Sequence, residues 1–246
     1  MKNFTLGFNY LLSGFGLILK PGIRLYVVIP LLINTLLFAA VIYYGASTLS
    51  GLIENLTAQW QWLEWLTWLI WPLFVVISLT IVFFCFSIIA NLIGAPFNGF
   101  LAQAVERRLT GRNIESDVSL SLFQIIIVSI KSEFQKFLYF LVRALPLLLL
   151  FIIPLVHVAA PLIWFLFSAW MLAIEYSDYP LGNHDIVFAE QRKILASNRQ
   201  LAFGFGTAVM LLTLIPVVNF IVMPVAVAGA TKMATEHPLL ALTDKS

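Results

Sequence analysis

The chain has 246 residues, 61% hydrophobic and only 11% charged, with a net charge of +2. A soluble domain carries about a quarter charged residues, so this composition excludes an ordinary soluble globular protein. The near balance of charge gives no footprint for nucleic acid, and the single cysteine, Cys85, cannot form an internal disulfide.

In chain order, the first twenty residues are mildly apolar and interrupted by Gly7, Gly14 and Gly16. They lack the compact apolar run and small-residue cleavage site of a secretory signal, so insertion is expected to depend on segments further along. Four stretches without Asp, Glu, Lys or Arg follow, at 25–53, 65–105, 144–174 and 200–231. A helix crosses the hydrocarbon core with about 20 apolar residues. The run 25–46, interrupted only by Pro30 and Asn34, predicts a spanning helix, and 68–90, rich in Ile, Val and Phe, predicts a second. Trp60, Trp62, Trp65, Trp68 and Trp71 gather before the second, as an aromatic belt does at one membrane interface.

Between the second and third runs, 106–143 is polar. Its apolar residues, Leu122, Ile126, Ile130, Phe134 and Phe137 among them, recur at helical spacing beside Lys131, Glu133 and Lys136. This region predicts an amphipathic helix that lies along the interface or extends a bundle beyond the membrane. The runs 144–174 and 200–231 are divided by Pro146, Pro154 and Pro161 and by Pro216 and Pro224. Each apolar piece is short for a crossing, so both predict re-entrant helical hairpins whose bends are satisfied by protein or by a water-filled cavity. Ile153-Pro154-Leu155-Val156-His157 aligns with Ile215-Pro216-Val217-Val218-Asn219, which suggests an internal repeat of the two hairpins. The stretch 175–199 reads as a turn-rich loop followed by a helix near 187–198.

Lysine and arginine are missing from 45–61 but recur at Lys2, Lys20, Arg24, Arg107, Arg108, Arg112, Lys131, Lys136 and Arg143. The positive-inside rule then places the N-terminus and the middle region in the cytoplasm. The expected fold is an all-α integral membrane protein forming a single membrane domain: two long transmembrane helices, two re-entrant hairpins and an amphipathic helical region.

Chemistry concentrates at few places. Lys20-Pro21-Gly22-Ile23-Arg24 precedes the first span, where a helix start offers unpaired amides and partial positive charge. With Gly22 admitting close approach and Arg24 adding a guanidinium fork, this is a candidate oxyanion site. The alternative is headgroup anchoring by Lys20 and Arg24. Glycine and proline at Gly94, Pro96 and Gly99 break the end of the second run, close to Asn91 and to Glu106 and Arg107. Facing inward, those charges would form a pore mouth; facing outward, they would be anchors. Asn34, His157 and Asn219 are isolated polar residues in apolar runs, suited either to line a pathway or to bond between helices. Glu175, Asp178 and His184 fit no zinc or catalytic spacing. No nucleotide loop of the Walker type occurs, and neither an enzyme activity, a metal nor a cofactor is expected.

Four stretches together resemble the CysZ family of bacterial sulfate permeases: Pro21-Gly22-Ile23-Arg24, Gly94-Ala95-Pro96-Phe97-Asn98-Gly99-Phe100-Leu101-Ala102, Tyr176-Ser177-Asp178-Tyr179-Pro180, and Ile215 through Ala226. The resemblance spans nearly the whole chain. It implies two long spanning helices with hemi-penetrating hairpins, a homo-oligomer in the bacterial inner membrane, and sulfate uptake for cysteine biosynthesis, with sulfite or related oxyanions as further ligands. It also implies sulfate binding at Gly22, Ile23 and Arg24, where isoleucine stands for the family's leucine and Leu25 occupies the place of a second arginine found in some members. A path past Asn34, Asn91, Glu106 and Arg107 would follow. A non-transporting membrane scaffold or regulatory subunit of another transporter is the alternative function.

Overall fold

A computed structural model describes residues 2–59, 72–73, 75–77, 80, 96–112 and 122–237. These residues form two units, Leu25–Phe97 and a second made of Met1–Arg24 with Asn98–Ser246. Every regular element among the described residues is helical.

In the first unit, α2 (Leu25–Gln59) is 35 residues long. At 1.5 Å per residue that is about 52 Å, against a hydrocarbon core of about 30 Å. Its section Leu25–Gly45 has the length and composition of a membrane span. Leu32, Leu36, Tyr43 and Tyr44 are more than half exposed. No aqueous surface sustains such a continuous apolar face, and lipid is the solvent that does. Pro30 lies inside the helix, in its second turn, and costs it the i→i−4 bond to the Tyr26 carbonyl. The expected second span at 68–90 lies mostly outside the described residues, and Asn91 and the tryptophan belt lie wholly outside them.

The second unit is built from α1 (Lys2–Ile18), α3 (96–110, of which Asn98 onward belongs here), α4 (Leu122–Leu149), α5 (Ala160–Gly182), α6 (Phe188–Ser197), α7 (Arg199–Thr213) and α8 (Pro216–Glu236). Its core joins α1, α5, α7 and α8. The glycines that look like interruptions in the first twenty residues do not break α1. They are its packing surface. A Cβ on Gly7 would collide with the Leu201 carbonyl of α7, and one on Gly14 with the Val225 carbonyl of α8. Gly204 and Gly206 on α7 serve in the same way against Phe4 and Ala169, and on Gly229 of α8 a Cβ would stand 2.7 Å from the Tyr10 carbonyl. Small residues that let backbones meet are the means by which helices associate in lipid, where apolar burial alone drives little.

The two proline-broken runs differ in detail from the sequence reading. Pro146 stays within α4, close to its end, so the amphipathic region and the first arm of the hairpin are one helix. The bend falls at 150–159, around Pro154, with Leu155 at φ 70°. Pro161 sits in the first turn of α5, where its missing N–H costs nothing. In the second run the bend is only Leu214 and Ile215, Pro216 opens α8, and Pro224 lies inside it. The aligned prolines therefore play unlike parts, and the repeat does not extend to local structure. Both bends carry exposed large apolar side chains: Ile152, Leu155 and Val158 in one, Leu214, Val217 and Phe220 at the other. α5 also continues through Glu175, Asp178 and Pro180 to Gly182, replacing the expected loop with helix. The helix expected near 187–198 is α6.

Candidate functional site

After α1 ends at Ile18, the chain turns through 19–24 before α2 begins. The Lys20 carbonyl accepts from two amides, Ile23 N–H at 3.1 Å and Arg24 N–H at 3.2 Å. Gly22 has φ +87°, which a side chain would strain. A Cβ there would meet nothing within 4 Å, so the backbone faces open space. Its amide has no hydrogen-bond partner among the described residues. Ile23 is 1% exposed and plugs the turn into the core, while Arg24 is exposed. The donors this turn can offer an oxyanion are thus fewer than sequence suggests: the Gly22 amide and the Arg24 guanidinium, held by a buried Ile23.

Glu106 and Arg107 part company. Arg107 is exposed, whereas Glu106 is buried with its Oε1 2.8 Å from His184 Nε2. The other oxygen, Oε2, is also buried and has no partner among the described residues. The Glu106 hydrogen bond raises the His184 pKa above its ordinary value; partial burial opposes this, and the Glu106 and Asp185 charges add to it. Around this pair, Asn183 Nδ2 donates to the Gly99 carbonyl at 3.1 Å, and the buried Asn98 Nδ2 lies 3.3 Å from Met223 Sδ. The glycine-rich stretch after the second run therefore joins the start of α3 to the end of α5 and to α8.

The third cluster was not read from sequence as a unit. Lys136 of α4 is 5% exposed, yet Phe134 and Phe137 on either side face outward. Its Nζ lies 2.9 Å from Asp178 Oδ2 and 3.2 Å from Glu175 Oε2, and it also pairs with Glu133. Gln191 Nε2 donates to Asp178 Oδ1 at 2.7 Å and to the Ile186 carbonyl at 2.9 Å. Burial alone would lower the Lys136 pKa, but the Asp178 and Glu175 charges and the bond to Glu133 outweigh it and raise it. On α4, Phe134 and Phe137 face outward while Lys136 faces inward. That inversion, a lysine flanked by phenylalanines, was the available signal.

The remaining polar residues do not gather. Asn34 lies in α2, its Oδ1 buried and without a partner among the described residues. His157 and Asn219 sit exposed at or beside the two bends.

Charges paired inside, apolar side chains outside, and helices joined through glycine define an integral membrane protein. By length and composition, Leu25–Gly45, Ala160–Gly182 and Pro216–Glu236 can each cross a bilayer. Residues 10–224 match the family model described as Sulfate transporter CysZ/Etoposide-induced protein 2.4. The chain is 43% identical over 229 residues to the Sulfate transporter CysZ of Pectobacterium atrosepticum, covering 92% of this chain and 83% of that protein. It is 44% identical over 229 residues to the Sulfate transporter CysZ of Vibrio parahaemolyticus, covering 92% and 93%. The chain belongs to this family.

Proposed function

We propose that this protein is a sulfate permease of the bacterial inner membrane, supplying sulfate for cysteine biosynthesis. The observation that carries the reading is the identity of 43% and 44%, over 229 residues, to two sulfate transporters. Sulfate binds at Gly22, Ile23 and Arg24: the open Gly22 amide and the exposed Arg24 guanidinium supply donors, and Ile23 fixes the turn. One arginine with a backbone donor suits an ion that must leave as well as bind. Asn34, Asn91, Glu106 and Arg107 contribute to the path, and sulfite or a related oxyanion competes. The bends at 150–159 and at 214–215 dip into the bilayer without crossing it, the N-terminus is cytoplasmic, and the working unit is a homo-oligomer.

The test is flux of radiolabelled sulfate into liposomes containing only the purified protein. Arg24→Ala is expected to lower flux and sulfate binding together. Flux absent from the unmutated protein would favour a scaffold or regulatory subunit; binding unchanged in the variant would remove the site.

A further inference from the structure

A groove of about 600 Å³ runs between α4, α5, α6 and α7, far in sequence from the Gly22 turn. Its polar wall is cationic: Arg143, Arg192, Lys193 and Arg199. None of these has a carboxylate within 4.0 Å among the described residues, in contrast to Lys136 and Lys232 of the same unit. Two of the guanidiniums crowd one ring, with Arg143 Cζ 3.7 Å and Arg192 Cζ 4.7 Å from the Tyr139 centroid. The ring is held in place by Trp170, whose Nε1 donates to the Tyr139 hydroxyl at 3.0 Å. Arg192 Nε is buried and has no acceptor among the described residues. Like charges gathered around an orphaned donor lack a counter-anion.

The opposite wall identifies the kind of anion. It is apolar, formed by Ile163, Leu166 and Phe167 of α5 with Phe203 of α7, and Leu166 and its neighbour Leu162 are exposed. A free inorganic dianion gains nothing from such a wall. An amphiphile does: its headgroup neutralises the arginines while its chains lie on α5. Basic pockets between membrane helices are recognised sites for acidic lipid headgroups. The tryptophan at the level of the guanidiniums is also where an interfacial residue belongs. We propose that this groove binds an anionic glycerophospholipid, with the phosphate on Arg143 and Arg192 and the acyl chains along α5.

The experiment follows thermal unfolding and lipid retention, by native mass spectrometry, of the full chain in detergent. The probes are phosphatidylglycerol, phosphatidylcholine of the same chains, inorganic phosphate and sulfate. Phosphatidylglycerol is expected to raise the unfolding temperature and to be retained, and phosphatidylcholine to do neither. Losing about one cationic contact costs roughly fivefold in affinity, so Arg143→Gln with Arg192→Gln should weaken retention about 25-fold. The exposed pair Lys193→Gln with Arg199→Gln, which should fold even if the first does not, is expected to weaken it comparably. Equal retention of both lipids by the unmutated protein, or phosphatidylglycerol retention undiminished by the second pair, would overturn the proposal. So would inorganic phosphate or sulfate displacing the lipid at low millimolar concentration, which would mark a free-anion site.

Discussion

Replacing Glu106 by Gln keeps the shape of a buried side chain and removes its charge. In the folded protein Glu106 Oε1 lies 2.8 Å from His184 Nε2, and the His184 pKa stands above its ordinary value near 6.5. The stability this pair contributes is therefore fully present below about pH 6.5 and is lost as pH rises through the higher folded-state value. A hydrogen bond between charged partners is worth roughly 1.5–3 kcal/mol and a neutral one roughly 0.5–1.5 kcal/mol, so E106Q should cost about 1 kcal/mol on the acid side. For a chain of this size that lowers the unfolding midpoint by about 2–4 °C. On the alkaline side the sign should fall to zero or reverse, because the mutation also relieves a carboxylate oxygen buried without a partner. Asp185 also favours the imidazolium, so some pH dependence should survive in the variant. Tryptophan fluorescence during heating in detergent, from roughly pH 5.5 to 8.5, reads the difference directly. Unfolding curves for the two proteins that shift in parallel over this whole range would refute the coupling.

Lys136→Met would leave Asp178 and Glu175 gathered around no cation. It should cost roughly 3 kcal/mol, toward the lower end for a broken buried pair because Glu175 is partly exposed, and should be measurable as a drop in unfolding temperature. Ile23→Leu conserves volume and should cost less than about 1.5 kcal/mol, whereas Ile23→Ala should cost roughly 2–5 kcal/mol and lower sulfate binding by calorimetry as the turn loosens. Gly22→Val meets no steric obstacle but must hold φ +87°, at a cost of roughly 1–3 kcal/mol; sulfate affinity should fall while the elution position in size exclusion is unchanged. Gly14→Leu forces α1 away from the Val225 carbonyl and should destabilise by at least about 1–3 kcal/mol, seen as a poor yield of monodisperse protein.

The long apolar helix from Leu25 and the bends near Pro154 and Pro216 were legible because lipid imposes a simple rule on sequence. Charge-free length makes a span, and proline near the middle of a run makes a turn. Three things were not legible, each for a physical reason. Gly7 and Gly14 read as weak points, since their worth lies in backbones on α7 and α8 some two hundred residues away. Lys136 read as part of a solvated face, since periodicity reports which residues share a side and not whether that side meets lipid or protein. Glu175 and Asp178 read as loop residues beside Pro180, yet α5 runs on through Pro180 to Gly182, at the loss of one i→i−4 bond. At the Gly22 turn, sequence overcounted the donors a ligand could use, because the Lys20 carbonyl takes two amides that a bare helix start would leave open.

The glycine seam along α1 has a bearing on how the protein is made. α1 leaves the ribosome well before α7 and α8, whose Leu201 and Val225 carbonyls fit against its glycines. Until then α1 lacks the backbone surfaces its glycines are shaped to meet. Assembly of this unit thus closes when α1 meets α7 and α8, and a nascent chain that stops before α8 should be cleared whole by quality control rather than kept as a shortened transporter.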